Sequence, residues 1–254
     1  MPDFFEFAEA CFLCRISPVF FQGENRLTEL SAAMLRHLPL LEQLLLGGKS
    51  DKRGNVIVDG NRMTELGPIF RHNEQLQVID FSQNQLQKID PTTFAGLKKL
   101  RWLSLGSNKL TTIPAGTFQG LEQLQELYLE YNELTTIPAG AFQGLGELFK
   151  LDLHGNQLTI IPAGTFQGLV QLQELYLYGN QLTTIPAGTF QGLEQLQQLN
   201  LGYNRLTTIP AGAFQGLEQL QTLDLRGNPW HSWSVCINSS SLPLLYYLSG
   251  VNFC

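Results

Sequence analysis

Glu130, Asp152 and His154 are the residues near the middle of this chain whose types could do chemistry. Two carboxylates and an imidazole can exchange protons with a substrate or bind a divalent metal, provided that the fold brings them together. The sequence shows no nucleophile, phosphate-binding loop or pocket-forming motif beside them. We therefore expect neither catalysis nor a metal or other cofactor, and we interpret His154 as a contact for a bound ligand.

The four cysteines lie only near the two ends of the chain. Cap disulfides in an oxidising compartment, free thiols, and metal or redox chemistry at the Cys-x-x-Cys spacing are three interpretations. The even number and the terminal placement favour disulfides, since no second Cys-x-x-Cys or histidine pair completes a zinc site. The candidates are Cys11, Cys14, Cys236 and Cys254.

The overall charge is acidic, with a formal net charge of −6 at pH 7. Phosphate binding needs clustered lysine and arginine, so we expect no nucleic-acid partner. No run of about 18 or more apolar residues occurs, so we expect no membrane span. The first residues carry Asp3, Glu6 and Glu9 where a secretory signal is positively charged, so they do not resemble a signal peptide. Either a signal has been removed, or the protein is made in the cytosol.

Asparagine returns at a fixed interval of 24 residues along most of the chain. The frame around each asparagine is LxxLxLxxNxLxxIPxxxFxxL, and such a fixed period predicts a solenoid whose coils stack around one core. The seven positions are Asn84, Asn108, Asn132, Asn156, Asn180, Asn204 and Asn228.

Each part of the frame has a physical role. The LxL pair alternates with period 2, so it predicts a short strand whose leucines point inward, and successive coils place these strands side by side in a parallel sheet. The asparagine amide can satisfy backbone groups where the chain turns out of the strand. Ile-Pro predicts an extended return segment. One phenylalanine per coil is expected to stack into a spine on the convex side: Phe94, Phe118, Phe142, Phe166, Phe190 and Phe214.

The frame is less regular toward the N-terminus. Asn25 and Asn61 are 36 residues apart, which is one repeat plus 12, and GGKSDKRGNVIV between them predicts an inserted loop or hairpin. The predicted organisation is therefore an N-terminal cap over 1–24, divergent repeats over 25–75 with an insertion at about 47–58, regular repeats over 76–228 and a C-terminal cap over 229–254.

The 24-residue frame with its IPAGTF segment resembles the typical class of leucine-rich repeats found in extracellular receptors, most closely the variable lymphocyte receptors. The resemblance covers residues 76 to 230 strongly and 25 to 75 weakly. It implies a leucine-rich-repeat solenoid of the α/β horseshoe type. A parallel β-sheet would form the concave face, and irregular or 3-10 segments would form the convex face.

The C-terminal cap departs from that resemblance. The family's cap usually opens NPWxCxC, whereas this chain has Ser232 and Ser234 at the two cysteine positions after Asn228-Pro229-Trp230. The family's two-disulfide cap therefore cannot form, and a single bridge between Cys236 and Cys254 is the pairing that the resemblance leaves open.

Residues that flank the strand leucines vary from coil to coil, whereas the return segments are nearly copies. These flanking side chains point away from the core and are expected on the concave face. The predicted ligand-binding residues are Trp102, Glu126, Tyr128, Glu130, Tyr131, Lys150, Asp152, His154, Glu174, Tyr176, Tyr178 and Tyr203.

Tyrosine is concentrated in this set, and it offers a large contact area and a hydroxyl at low entropy cost. We therefore predict a non-catalytic, extracellular or cell-surface recognition protein resembling an immune receptor. Its ligand would be a protein with basic side chains, or else a glycan. The alternative is a structural scaffold or engineered repeat protein that mediates assembly without a specific soluble ligand. In that case Glu126, Lys150 and Glu174 form only a cross-strand charge ladder.

Overall fold

The computed structural model describes residues 60–210 and 212–230 continuously, and shorter pieces at 19–21, 27, 29–36, 38, 40–47, 49–50 and 56–58. The four cysteines, and with them the predicted cap disulfides, lie outside the described residues. Within the described part no helix is long and apolar enough to cross a bilayer.

A nine-stranded parallel sheet runs along the molecule, with one strand from each coil. Its strands pair in the order β1-β2-β6-β8-β9-β10-β11-β12-β13. Their bounds are β1 Val19–Phe21, β2 Gln43–Leu45, β6 Val78–Asp80, β8 Trp102–Ser104, β9 Glu126–Tyr128, β10 Lys150–Asp152, β11 Glu174–Tyr176, β12 Gln198–Asn200 and β13 Thr222–Asp224.

Three short elements accompany this sheet near the N-terminal coils. Helix α1 covers Ala32–Leu35. Strands β3 (Lys49–Ser50) and β4 (Val56–Val58) pair antiparallel, and strands β5 (Glu65–Leu66) and β7 (Lys88–Ile89) pair parallel.

The strand leucines align in register from coil to coil, so each repeat stacks directly on the preceding one. Leu151 of β10 lies between Leu127 of β9 and Leu175 of β11, and all three side chains are fully buried. The residues on either side of each leucine point to the opposite face of the sheet. The parallel sheet and the coil-by-coil stacking confirm the predicted solenoid.

The asparagines form a continuous ladder beside the strands. The Asn132 side-chain amide donates to the carbonyl oxygens of Leu105 in the preceding coil and Leu129 in its own coil, at 3.0 and 3.1 Å, while its oxygen accepts from the amide of Leu110 at 3.0 Å. Asn156, Asn180 and Asn204 repeat the arrangement. The ladder pairs backbone groups that would otherwise be buried without partners, as the sequence predicts.

The return segments are chains of tight turns rather than helices. Hydrogen bonds join residues three apart, as from the amide of Leu121 to the carbonyl of Phe118 and from Leu124 to Leu121. The phenylalanine spine lies beneath these turns, with successive rings nearly parallel and 6.1 to 6.4 Å apart from Phe70 to Phe214.

Asn61 provides the ladder asparagine for the coil of β2. Its amide donates to the carbonyl of Leu46 at 2.9 Å, and its oxygen accepts from the amide of Leu27 at 3.2 Å. Leu46 and Asn61 are 15 residues apart, whereas the equivalent Leu129 and Asn132 are 3 apart. The difference of 12 residues is accommodated between strand and ladder, where β3 and β4 pair.

Candidate functional site

The residues predicted to bind ligand fall into rows that run across the strands. Trp102, Glu126, Lys150 and Glu174 occupy the first row, in direct register. Tyr128, Asp152 and Tyr176 form the second. Glu130, His154 and Tyr178 follow two residues later on the same side, and we call the surface formed by these three rows the sheet face. Tyr131 and Tyr203 lie beside the asparagine ladder, next to Asn132 and Asn204, and the Tyr131 ring contacts His154 of the sheet face.

Lys150 lies between two tyrosine rings at the centre of the sheet face. Its ammonium nitrogen is 5.5 Å from the ring centre of Tyr128 and 5.3 Å from that of Tyr176. The same nitrogen forms an ion pair with Glu174 at 3.1 Å. A cation over an aromatic face is stabilised by the ring quadrupole, so the two rings and the carboxylate hold this ammonium in one place.

The two tyrosines beside Lys150 are themselves fixed by glutamates. The hydroxyl of Tyr128 donates to Glu126, and that of Tyr176 donates to Glu174 at 3.1 Å. Burial and the neighbouring charge of Glu174 raise the pKa of Tyr176 to about 12, so its hydroxyl remains a donor at physiological pH. The identical Glu-Leu-Tyr strands β9 and β11 thus flank Lys150 symmetrically, while Trp102 packs on Tyr128 at 5.4 Å.

His154 is enclosed by aromatic rings and by Asp152. Its ring stacks on Tyr178 at 4.3 Å and meets Tyr131 edge-on at 4.5 Å. Its Nδ1 lies 2.6 Å from Asp152 Oδ1. Both His154 and Asp152 are buried, so the imidazole is held in a fixed orientation.

Glu130 is the least satisfied group of the sheet face. Its Oε2 is buried without a hydrogen-bond partner. The carboxylate lies against Gly106 of the preceding coil, where a Cβ atom would come within 2.2 Å of Glu130 Oε1. Burial and then the negative charge of Asp152 raise the pKa of Glu130 to about 7, which His154 opposes.

From the sequence, Glu130, Asp152 and His154 were possible acid–base or metal-binding residues. The structure places them on adjacent coils. Nδ1 of His154 is engaged by Asp152. Among the described residues no group of three or more histidine, cysteine or acidic side chains is arranged to hold a metal ion.

Two features of the site escaped sequence reasoning. Gly106 and Gly155 provide space, for the Glu130 carboxylate and the Tyr131 ring respectively. Their signal was present in the sequence, because each glycine interrupts a frame position that carries a side chain in other coils. Arg226, whose guanidinium donates to Asp224 at 2.7 Å, repeats the relation of His154 to Asp152 at the far end of the sheet.

Comparison with solved structures supports the fold. A chain in "Crystal structure of TLR13-ssRNA13 complex" superposes with a TM-score of 0.82 at 27% sequence identity, covering 96% of this chain. This chain spans about a third of that one, 34% of its length. It is one of 467 matching chains of solved structures, so the fold alone does not define a function. No curated protein sequence matches the chain.

The expectation that nucleic acid is excluded is wrong. It rested on the acidic net charge, whereas the similar solved structure is a complex with single-stranded RNA. Net charge is a poor guide because a solenoid offers a ligand only one surface, and single strands also bind by stacking their bases on aromatic side chains.

The sequence itself matches one family along most of its length. Four overlapping segments match the Leucine rich repeat family, at residues 55–110, 98–158, 133–182 and 171–229. They include every coil from β6 to β13, and with them the asparagine ladder, the phenylalanine spine and the sheet face. The chain belongs to the leucine-rich-repeat family.

Proposed function

We propose that this chain is a non-catalytic recognition protein that binds its ligand on the sheet face. The observation that carries the proposal is the aromatic and charged cluster around Lys150, in which both flanking tyrosines are held by hydrogen bonds. A contact surface whose side chains are already ordered loses little entropy on binding. The constant return segments then act as a scaffold for this variable surface.

The charges of the sheet face favour a protein ligand with basic side chains. Glu126, Glu130, Asp152 and Glu174 outnumber Lys150 on the sheet face. Arginine and lysine of a partner would complement the partly exposed carboxylates of Glu126 and Glu174 and could stack on the exposed parts of the tyrosine rings. A glycan that packs on the same rings is the remaining choice within this proposal.

Single-stranded RNA is the second candidate, and the similar solved complex is the observation that favours it. Bases would stack on the tyrosines and Trp102, each contact contributing roughly 1–3 kcal/mol. Phosphates would meet Lys150 but also the four carboxylates. The two candidates therefore predict opposite effects of charge removal: Glu174→Gln weakens a basic ligand and strengthens RNA, and Lys150→Gln does the reverse.

The fold and the resemblance to receptor repeats also support an extracellular or lumenal location and a role in immune recognition. We include in the proposal the resemblance to variable lymphocyte receptors. The ligand should therefore be sought on cell surfaces and in extracellular fluid.

The test compares capture of ligands by the wild type and by Tyr128→Ala/Tyr176→Ala/Tyr178→Ala, with proteins identified by mass spectrometry and bound RNA by sequencing. The matched control is Glu122→Ala/Glu194→Ala/Glu218→Ala, three exposed positions on the return segments. We expect the control to retain the ligand and the tyrosine variant to lose it. Equal capture by a folded tyrosine variant would refute binding on the sheet face.

A further inference from the structure

One edge of the solenoid carries a residue pattern that is symmetric about its middle. The pattern is formed by the residues immediately before and after the ladder asparagine in four successive coils. The flanking pairs are Tyr131 and Glu133, Gly155 and Gln157, Gly179 and Gln181, and Tyr203 and Arg205. The order is tyrosine, glycine, glycine, tyrosine in either direction, while the charge passes from acidic through two glutamines to basic. We call these eight residues the tyrosine edge.

The tyrosine edge exposes apolar surface outside the three rows of the sheet face. Tyr131 is 58% and Tyr203 64% exposed, and both have left-handed backbone conformations with φ of 51° and 52°. A bulky residue in that conformation is strained, so the strain has to be offset elsewhere. Gly179 between them is also exposed.

Ile160 adds a third exposed apolar side chain on the same flank. It is 43% exposed at a frame position that is threonine in the adjacent coils, Thr136 and Thr184. Two coils earlier, Lys109 and Thr112 occupy the frame positions of Gln157 and Ile160, and both line one groove of this flank. Ile160 therefore lies beside the centre of the tyrosine edge.

The charged residues at the two ends of the edge are available for a partner. Glu133 and Arg205 are exposed, and neither forms an ion pair within the part of the chain that the structure describes. They are three coils apart, about 14 Å at the usual strand spacing, which is too far for them to neutralise one another.

We propose that the tyrosine edge binds a second copy of this chain in a two-fold symmetric dimer. In such a contact residue i meets j and j meets i, so a surface must be complementary to its own reversal. With the axis between the coils of Asn156 and Asn180, Tyr131 meets the partner's Tyr203 and Glu133 meets the partner's Arg205. Opposite charges then meet twice, and the exposed tyrosines and Ile160 are covered.

The dimer leaves the sheet face of each copy open, so it is independent of the proposed ligand and of its class. Two identical faces held in one assembly would bind a repetitive ligand more tightly than one face does, through a raised effective concentration. A small, partly polar edge predicts a weak dimer, near the lower limit of specific interfaces.

Sedimentation velocity over roughly two decades of concentration measures the dimerisation of the full chain. We expect Glu133→Arg or Arg205→Glu alone to weaken the dimer at least tenfold, because like charges then meet at both ends. The double variant Glu133→Arg/Arg205→Glu restores it. A mixture of the two single variants, one carrying only basic and the other only acidic residues at these positions, forms the heterodimer.

Two further variants separate the edge from general charge effects. Glu194→Arg makes the same change of charge at an exposed position on a return segment, outside the tyrosine edge, and leaves dimerisation within twofold of wild type. Tyr131→Ser/Tyr203→Ser, which places at both positions the residue that Ser107 already provides in the frame, abolishes the dimer. A wild type that stays monomeric throughout, or a dimer that neither charge variant weakens, would overturn the proposal.

Discussion

The ring of Tyr131 lies on Gly155, the residue at the same frame position of the next coil. A Cβ atom on Gly155 would be 2.7 Å from Tyr131 Cδ1, closer than such contacts allow. Tyr203 and Gly227 repeat the arrangement at 2.6 Å. A tyrosine at this position therefore requires glycine one coil later, and the two residues must be considered together.

Replacing Gly155 tests this pairing. Gly155→Ala is expected to destabilise the protein by about 1–3 kcal/mol, because the new methyl meets the Tyr131 ring and because the φ of 65° is strained for alanine. Urea unfolding measures the free energy. Gly146→Ala, with open space around the position, is the control and should change stability little.

Combining Gly155→Ala with Tyr131→Ser separates the two causes. The serine removes the contact but not the backbone strain, so part of the loss is recovered and the two changes are not additive. Strictly additive effects would show that Tyr131 does not press on this position.

The asparagine ladder predicts a large effect from a small change. Asn156→Ala leaves the buried amide of Leu134 unpaired. It also removes one of the two asparagine donors to each of the carbonyls of Leu129 and Leu153, which keep Asn132 and Asn180 respectively. An unsatisfied buried amide costs about 1–3 kcal/mol, so a loss of at least that order is expected. The neighbouring Gln157→Ala, at an exposed position, should stay within about 0.5 kcal/mol of wild type in the same urea titration.

Glu130 predicts a specific dependence of stability on pH. Its pKa of about 7 in the folded protein lies above the ordinary value of 4.5, so the folded state binds the proton more tightly than the unfolded state. Its contribution is fully present below about pH 4.5 and is lost as the pH rises through 7. The loss is on the order of 3 kcal/mol.

Glu130→Gln should therefore stabilise the protein at pH 8 relative to wild type and should flatten the stability profile between pH 5 and 8. Glu133→Gln, an exposed neighbour, is the control and should leave the shape of the profile unchanged. A Glu130→Gln profile parallel to wild type would contradict the raised pKa.

Lys150 is expected to contribute more to the order of the sheet face than to stability. A partly exposed ion pair is worth roughly 0.2–1 kcal/mol, and we expect a double-mutant cycle of Lys150→Met and Glu174→Gln to give a coupling in that range. Tyr128 and Tyr176 ring resonances in NMR spectra should broaden or shift in Lys150→Met. A coupling near zero with unchanged spectra would mean that the cluster is not held together as described.

Periodicity in the sequence was sufficient to predict the architecture. The interval of 24 residues, the paired leucines and the single asparagine per coil define a strand, a buried ladder and a return segment, and each depends on contacts with the same position of the next coil. Such contacts are local in a solenoid, so Leu127, Asn132 and Phe142 could be assigned without knowing the distant parts of the chain. The acidic net charge, by contrast, did not justify excluding a nucleic-acid partner.

Only the tertiary structure decided how side chains from different coils share space. The sequence placed Glu130, Tyr131, Lys150 and His154 on or beside one sheet, but not the seat of the Glu130 carboxylate against Gly106, the left-handed Tyr131 on Gly155, or the position of Lys150 between two tyrosine rings. These relations depend on rotamers, on burial and on which neighbour lacks a side chain, and residues 24 positions apart fix them jointly. Periodicity determines the coil and the face on which a side chain lies, whereas packing between coils determines its conformation and its contacts.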